Sequence, residues 1–174
     1  SHENGRSVPV GTTEVTYTAK EDADLEYSES FLITVSDDEA PVLIGLAEQV
    51  TYSNVEGLCS GLATWDLPSA SDNCEVSEIT STHEPGWSFN VGSTLVTYTV
   101  TDIHGNSSQE VLIVVIEDTE APTFVSVPDD IQATTEPGIC TTIVNWDIPV
   151  VDDNCEIFSL STSNLRGTEF GVGV

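Results

Sequence analysis

Residues 65–75 read Trp-Asp-Leu-Pro-Ser-Ala-Ser-Asp-Asn-Cys-Glu, and residues 146–156 read Trp-Asp-Ile-Pro-Val-Val-Asp-Asp-Asn-Cys-Glu. The two stretches align without a gap at one fixed shift, which we call the repeat offset and which takes Trp65 to Trp146. A match of this length at a fixed offset is the sequence signature of a repeat architecture. The structure predicted for one copy therefore applies to the other.

The same offset holds along the whole chain. It relates the residues of the pairs Pro41 and Pro122, Cys59 and Cys140, Cys74 and Cys155, Gly11 and Gly92, Val15 and Val96, Tyr17 and Tyr98, and Phe89 and Phe170. We predict one complete unit at residues 37–117. Residues 1–36 match only the last part of a unit, and residues 118–174 match only the first part.

Each unit has the pattern of short β-strands. Apolar side chains alternate with threonines in residues 96–101, and residues 15–20 repeat the alternation, as expected of half-buried strands. Clusters of Pro, Gly, Asn and Asp separate such runs at intervals of about 8–12 residues, and no stretch has helical periodicity. We predict an all-β fold of tandem immunoglobulin-like β-sandwiches, one complete and one split between the N- and C-terminal segments.

The composition excludes several classes of function. With 3 basic and 30 acidic residues the formal charge is −27, which rules out a nucleic-acid partner and an anionic membrane surface. The longest apolar run, residues 111–116, is far shorter than the roughly 20 residues that span a bilayer, so no membrane insertion is expected. Methionine is absent and no signal peptide is visible, so we expect a mature or internal piece of a longer gene product.

No catalytic residue is predicted. The chain has three histidines, but it has no nucleophile motif, phosphate-binding loop or HExxH sequence. We therefore expect that it is not an enzyme.

The combined motifs resemble the hyalin repeat (HYR) domain family over essentially the whole chain. The residues that carry the resemblance are Asp118–Pro122, Gly138–Cys140, Trp146–Pro149, Asp153–Cys155, Phe89–Thr94, Val96–Asp102 and Gly105–Asn106. The resemblance implies an immunoglobulin-like fold, a tandem array, an extracellular adhesive or structural role, and no enzymatic activity. Many members of the family carry a further cysteine pair. Ser126 and Gln109 stand at those positions here, so that bridge is expected to be absent.

Four cysteines give two per unit at the same spacing in each unit, namely Cys59 with Cys74 and Cys140 with Cys155. In a chain expected to be secreted, such cysteines predict disulfides rather than a zinc site. Pairing within each unit is the favoured interpretation. The alternative is a bridge between units, from Cys59 to Cys155, because a straight strand from residue 59 would place the two sulfurs of one unit near opposite poles.

The acidic loops predict calcium sites at the junctions between units. In this topology the entry linker, the loop after the second strand and the loop between the last two strands share one pole, and clustered carboxylates with an Asn carbonyl suit Ca²⁺. The first set is Asp37, Asp38, Glu39, Asp72, Asn73 and Asp102. The second set is Glu117, Asp118, Glu120, Asp152, Asp153 and Asn154. Glu21 and Asp22 would complete the second set, and in a polymer they would come from a neighbouring chain. The alternative is a solvated acidic surface that keeps the protein soluble.

The register of the repeat also predicts a polymer. The segment 118–174 lacks the strands that residues 12–36 would supply, and an open sandwich leaves backbone groups unpaired and apolar residues wet. One solution is that the N-terminal hairpin of one chain completes the C-terminal domain of the next, a contact that propagates into a head-to-tail fibril. The alternative is that the sequence is one stretch of a longer tandem array.

Two functional classes follow from this organisation. The favoured one is a structural subunit of an extracellular fibril, and the alternative is a stalk or ligand-binding module of a cell-surface adhesin. Glycans are possible partners, because Asn106-Ser107-Ser108 is an N-glycosylation sequon. It is meaningful only in a eukaryotic protein.

Overall fold

The computed structural model describes Gly5 and residues 7–22 and 25–173, with the side chain of Asp22 left out. In these residues the chain forms β-strands and no helix, which confirms the predicted all-β fold. The strands are β1 Gly11–Asp22, β2 Leu25–Val35, β3 Val42–Ile44, β4 Gln49–Ser53, β5 Ser60–Leu62, β6 Ser69–Ser71, β7 Val76–Ser81, β8 Ser88–Asn90, β9 Gly92–Asp102, β10 Ser107–Glu117, β11 Thr123–Ser126, β12 Thr141–Ile143, β13 Val150–Asp152 and β14 Glu169–Gly171.

The chain divides into two compact units. The first contains the chain up to Leu46 together with Leu67–Thr82 and Thr97–Val111. The second contains Ala47–Asp66, His83–Val96 and the chain from Leu112 onward. Both units draw on the complete repeat, because β9 and β10 each run through the two.

The complete repeat contains a four-stranded sheet in the order β4-β10-β9-β7. β10 pairs with β4 in parallel, from Ile113 with Gln49 to Glu117 with Ser53, and β7 pairs antiparallel with β9. The remaining strands form two antiparallel pairs, β3 with β6 and β5 with β8. β9 and β10 are therefore the two central strands of the largest sheet.

These central strands supply most of the core because their side chains alternate between two faces. On β9, Val96, Tyr98 and Val100 are buried. On β10, Leu112, Val114 and Ile116 are buried. The intervening residues are half-buried, namely threonines on β9 and Ile113 and Val115 on β10, so the alternation predicted for residues 96–101 is confirmed.

The counterparts of β9 and β10 form a separate hairpin. β1 and β2 pair antiparallel from Gly11 with Val35 to Asp22 with Leu25, and they make up a two-stranded sheet of their own among the described residues. Val15 is buried, but Tyr17 and Phe31 are 66% and 48% exposed, whereas their counterparts Tyr98 and Leu112 are 2% and 0% exposed. Much of the core-forming face of this hairpin is uncovered.

The second repeat has the complementary set of strands. Its pairs β11–β13 and β12–β14 correspond by the repeat offset to β3–β6 and β5–β8. The counterparts of β4 and β7, residues 130–134 and 157–162, form no strand. Among its described residues, this repeat therefore has no equivalent of the four-stranded sheet. Phe124 corresponds to the buried Leu43 of the complete repeat and is 61% exposed.

One close approach in the complete repeat is not reproduced in the second. A Cβ on Gly61 would lie 2.6 Å from the Ser53 carbonyl oxygen and 3.0 Å from Ile116. The counterpart of Gly61 is Thr142. In the second repeat, β12 must therefore keep a larger distance from the segment that corresponds to β4.

Candidate functional site at the repeat junctions

A disulfide joins the two repeats. The sulfurs of Cys59 and Cys155 are bonded, with 4.9 Å between the Cα atoms, while Cys74 and Cys140 are free and exposed. The favoured pairing within each repeat is therefore not the one in the structure, which contains the alternative bridge between repeats.

The positions of the cysteines explain this pairing. Cys59 lies just before β5, on a loop whose Asn54 N–H donates to the Glu117 carbonyl at 2.9 Å, where the chain leaves the first repeat. Cys74 follows β6 and lies beside Asp37, where that repeat begins. Each cysteine is therefore placed to meet a neighbouring repeat and not its own partner in the same repeat.

A hydrogen-bond network surrounds the bridge, which we call the Asn54 network (Asn54, Gly57, Thr119 and Glu120). The Asn54 side-chain amide donates to Glu120 Oε1 at 2.7 Å, and the Gly57 N–H donates to the same oxygen at 2.8 Å. The Asn54 Oδ1 accepts from the backbone and the hydroxyl of Thr119, each at 3.0 Å. Glu120, predicted as a metal ligand, has one carboxylate oxygen committed to this network.

The residues that begin the second repeat are held in the same region. Asn154 Nδ2 donates to the Leu58 carbonyl at 3.1 Å and contacts Asp118 Oδ1 at 3.4 Å. The backbone N–H of Cys155 donates to Asp153 Oδ1 at 3.0 Å. The disulfide and these bonds connect the loop 54–59 with residues 118–120 and 153–155, which we call the second junction.

The first junction (Asp37, Asp72, Asn73, Cys74, Asp102, His104 and Asn106) lies at the start of the complete repeat. Asn73 Nδ2 donates to Asp37 Oδ1 at 3.1 Å, and His104 Nδ1 lies 3.1 Å from Asp37 Oδ2. The side chain of Asp37 is only 2% exposed. The Asn73 hydrogen bond outweighs burial and lowers the pKa of Asp37, with smaller contributions from Cys74, Glu39 and His104.

Asp102 is a second buried acid of this junction, at 2% exposure. Burial raises its pKa, but hydrogen bonds from Asn106 and from the backbone of His104 and Gly105 together outweigh burial and lower it. The hydrogen bond to Asp37, burial and neighbouring carboxylates raise the pKa of the Cys74 thiol.

Asn106, the predicted glycosylation residue, is part of this junction. Its side-chain nitrogen donates to Asp102 Oδ2 at 2.7 Å and to the Asp37 carbonyl at 3.1 Å. Both amide hydrogens are thus used, and a glycan on that nitrogen would replace one of them. The sequon has a structural role that the sequence motif does not reveal.

The structure brings together some of the predicted calcium ligands. Carboxylate oxygens of Asp37, Asp72 and Asp102 lie within 4.8 Å of one another, and Asp72 Oδ1 is buried without a hydrogen-bond partner. At the second junction Asp118 and Asp153 are also close, and Asp153 Oδ2 and Asn154 Oδ1 are likewise buried without a partner. Among the described residues, the other predicted carboxylate ligands join no such cluster, namely Asp38, Glu39, Glu117, Glu120, Asp152 and Glu21. The Asp22 side chain lies outside the described residues.

Acidification should weaken the first junction. The Asn73 hydrogen bond lowers the pKa of Asp37 from its ordinary value, so its carboxylate contributes stability above the unfolded-state pKa that is lost as the pH falls through the folded-state pKa. We expect the difference in Tm between the wild type and Asp37→Asn to be largest near neutral pH and to close in strong acid. Thermal unfolding with a chelator present, from pH 7 to pH 2, measures it. A difference that stays constant would contradict the assignment.

A groove opens in the second repeat, with a volume of about 940 Å³. Residues 128–135 line one side, and Val144, Trp146 and Phe170 contribute to the rest. Residues 130–134 correspond to β4, the edge strand that pairs with β10 in the complete repeat. The groove therefore borders the position in the second repeat that corresponds to β9 and β10 of the complete repeat.

Comparison with known proteins adds the family. The HYR domain model matches residues 37–116 and 117–174. The chain belongs to the HYR domain family. Hyalin of Strongylocentrotus purpuratus is 32% identical over 97% of this HYR chain, and hyalin of Lytechinus variegatus is 31% identical over 99%.

The HYR chain is short compared with these relatives, since it covers 15% and 33% of the two hyalins. "Sushi, von Willebrand factor type A, EGF and pentraxin domain-containing protein 1" of Mus musculus is 38% identical over 57% of the chain and 3% of that protein. No solved structure matches the chain significantly. No helix in the described residues is long and apolar enough to cross a membrane. Family membership indicates an extracellular, adhesion-related module.

Proposed function

We propose that this HYR chain is a structural subunit of an extracellular head-to-tail fibril. In this assembly the β1–β2 hairpin of one copy completes the repeat at residues 118–174 of another copy. The observation that carries the proposal is that the chain holds the two central strands of a sandwich as a separate hairpin and, elsewhere, a repeat that lacks those two strands.

The strand order specifies how the hairpin would fit. In the complete repeat β10 pairs with β4, and β9 pairs with β7. The counterparts of β9 and β10 are β1 and β2, whose outer edges are unpaired in the described sheets. Inserted between residues 130–134 and 157–162 of another copy, the hairpin would pair on both edges and recreate the four-stranded order.

The hydrophobic effect favours the same arrangement. Insertion would bury Tyr17 and Phe31, as Tyr98 and Leu112 are buried in the complete repeat. The groove beside Trp146 and Phe170 offers the apolar surface to receive them. Burying a large apolar side chain contributes about 1.5–3 kcal/mol, and each added backbone pairing removes an exposed edge that otherwise invites aggregation.

Sedimentation velocity over a concentration series tests the proposal. We expect the 18.6 kDa chain to form elongated oligomers that grow with concentration, because each contact leaves a free hairpin at one end and a free groove at the other. A compact monomer at high concentration would contradict strand addition between copies.

The second candidate is a stalk within a longer adhesin, in which the following stretch of one polypeptide supplies the strands. It is favoured by the length of the relatives, of which the chain covers no more than a third. Denatured native material distinguishes the two candidates. The fibril predicts a protomer near 18.6 kDa plus any glycans, whereas the stalk predicts a much longer polypeptide.

We further propose that calcium stiffens the junctions. The three carboxylates of Asp37, Asp72 and Asp102 converge, and the unpaired Asp72 Oδ1 is an oxygen that a hard cation would satisfy. The second junction repeats the pattern with Asp118, Asp153 and the unpaired oxygens there. Cys155 adjoins that cluster but is in a disulfide, so it offers no thiolate.

Calcium should therefore raise the stability of the chain. Extracellular sites bind Ca²⁺ at about 10⁻⁴–10⁻³ M, so we expect 10 mM Ca²⁺ to add about 1–3 kcal/mol per occupied site to the free energy of unfolding. Asp72→Asn should reduce this gain, while Asp66→Asn, at an exposed position, should keep it. Urea unfolding with Ca²⁺ or with a chelator measures both. Equal midpoints in the two buffers would contradict a calcium site.

A further inference from the structure

The two free cysteines have the same local surroundings as the two bonded ones. Cys140 corresponds to Cys59, and Cys74 corresponds to Cys155. The bonded pair thus joins the early cysteine position of one repeat to the late position of the next. If the pattern continued along a longer series of repeats, Cys140 would bond to the late cysteine of the following repeat. Cys74 would bond to the early cysteine of the preceding repeat.

The surroundings of Cys140 match those of Cys59. The Cys59 carbonyl accepts from the Val91 N–H at 3.2 Å, and the Cys140 carbonyl accepts from the Val172 N–H at 3.2 Å. A turn precedes each cysteine, closed by Leu58 N–H to the Val55 carbonyl at 2.8 Å and by Ile139 N–H to the Glu136 carbonyl at 3.1 Å. The backbone hydrogen bonds around Cys140 in the second repeat are therefore the same as those around Cys59 in the complete repeat.

The surroundings of Cys74 match those of Cys155. The Cys74 N–H donates to Asp72 at 2.8 Å, as the Cys155 N–H donates to Asp153 at 3.0 Å. The preceding asparagine contacts the linker aspartate in both cases, Asn73 with Asp37 and Asn154 with Asp118. The thiol of Cys74 is thus placed like the sulfur of Cys155 that is already bonded.

We propose that Cys140 of one copy forms a disulfide with Cys74 of the next copy, which makes the fibril a covalent ladder. The inference rests on the proposed function, because the hairpin must first complete the repeat at residues 118–174. Once it has done so, residues 37–117 of the donor copy follow that repeat as residues 118–174 follow the first one. Cys74 of the donor copy then meets Cys140 as Cys155 meets Cys59.

The chemistry needs a low-molecular-weight disulfide as oxidant. The thiolate of one cysteine attacks this disulfide and releases one thiolate, which takes up a proton; the second cysteine then attacks the mixed disulfide and releases the other. One disulfide is formed, one is reduced to two thiols, and the two protons of the protein thiols pass to the released ones. Extracellular surroundings permit such a bond to persist.

The junction between copies would have fewer hydrogen bonds beside its disulfide than the junction within the chain. Thr135 stands at the position of Asn54, so the Asn54 network cannot form between copies. Only Gly138 and Glu39, the counterparts of Gly57 and Glu120, are kept. A disulfide at this junction compensates for the hydrogen bonds that the substitution removes.

Non-reducing denaturing electrophoresis, after assembly in the presence of oxidised glutathione, tests the ladder. The wild type should give a series of multiples of the 18.6 kDa protomer, and the linked peptide should join Cys140 to Cys74. Cys74→Ala and Cys140→Ala should each abolish the series alone. An equal mixture of the two variants should stop at covalent dimers, because only one productive pair of cysteines remains.

Sedimentation of the double variant Cys74→Ala/Cys140→Ala separates this inference from the proposed function. If the double variant assembles and the wild type gives no ladder, the disulfide is overturned and strand addition stands. If peptide mapping shows Cys74 linked to Cys140 of the same copy, or two identical cysteines linked, the inference is also overturned. If neither protein assembles, both proposals fall.

Discussion

Ile33→Asn is expected to weaken association between copies of this HYR chain by roughly a hundredfold. Ile33 lies on β2 and corresponds to Val114, which is fully buried in the complete repeat. Insertion of the hairpin would bury the new amide without a designed partner and lose the apolar contact, at a combined cost of about 3 kcal/mol. That cost corresponds to about two orders of magnitude in the dissociation constant.

Ser30→Asn is the matched control. Ser30 lies on the same strand, but its counterpart Val111 is 45% exposed, so an amide there stays in contact with water. Sedimentation velocity should show oligomers for this variant and monomers for Ile33→Asn at the same concentration. Identical association of the two variants would show that the hairpin does not enter a core.

A second test of the same contact is a chain that carries an extra copy of the β1–β2 hairpin at its C-terminus. Residues 13–36 placed directly after residue 174 continue the register of the repeat without a gap, because residue 174 corresponds to residues 93 and 12. This extended chain should remain monomeric, since its groove is filled in cis. It should also melt at a higher temperature than the original chain measured as a monomer.

Removal of the bridge between repeats is expected to produce the largest loss of stability in a single chain. Cys59→Ala/Cys155→Ala opens a loop that spans 96 residues, and the greater conformational freedom of the unfolded chain should lower the free energy of unfolding by about 2–4 kcal/mol. Replacing both residues avoids leaving an unpaired thiol that could form a wrong bridge.

Cys74→Ala/Cys140→Ala is the matched control for this experiment, because it removes two cysteines that are in no disulfide and only the single hydrogen bond from Cys74 to Asp37. Its unfolding midpoint in urea should stay close to that of the wild type when both are measured as dilute monomers. Equal loss of stability in the two double variants, or no loss in either, would contradict a bridge from Cys59 to Cys155.

The sequence was sufficient to predict the fold class because the pattern is local and occurs more than once. The alternation in residues 96–101 directly reports a strand with one buried face, and the repeat offset identifies residues 11–35 as the same two strands. The convergence of Asp37, Asp72 and Asp102 was also predictable, since strand topology alone brings those loops to one pole.

The contacts at the second junction could not be predicted in the same way. Asn54 meets Thr119 and Glu120, which belong to the next repeat and lie far from it along the chain, and its position is occupied by Thr135 in the other repeat. Comparison of the two repeats therefore gives no indication of the contacts that Asn54 makes. A signal did exist in the repeated Gly57 and Gly138, which mark the turn that carries the network.

The disulfide in the structure was predicted only as the alternative to a bridge within each repeat, for a related reason. The short spacing between Cys59 and Cys74 suggests a local bridge, and spacing carries no information on which repeat supplies the partner. Strand geometry raised the possibility that the two cysteines of a repeat lie at opposite poles, and the hydrogen bonds of Asn54 and Asn73 show that each loop faces a different linker.

The parallel pairing of β10 with β4 determines how the complete repeat responds to a pulling force. β10 ends at Glu117 and leads directly into the next repeat, so tension along the chain acts in the direction of the strand. Its evenly spaced bonds to β4 are then sheared simultaneously and do not open one after another. The complete repeat would therefore resist extension along the chain better than a hairpin that is peeled from its end.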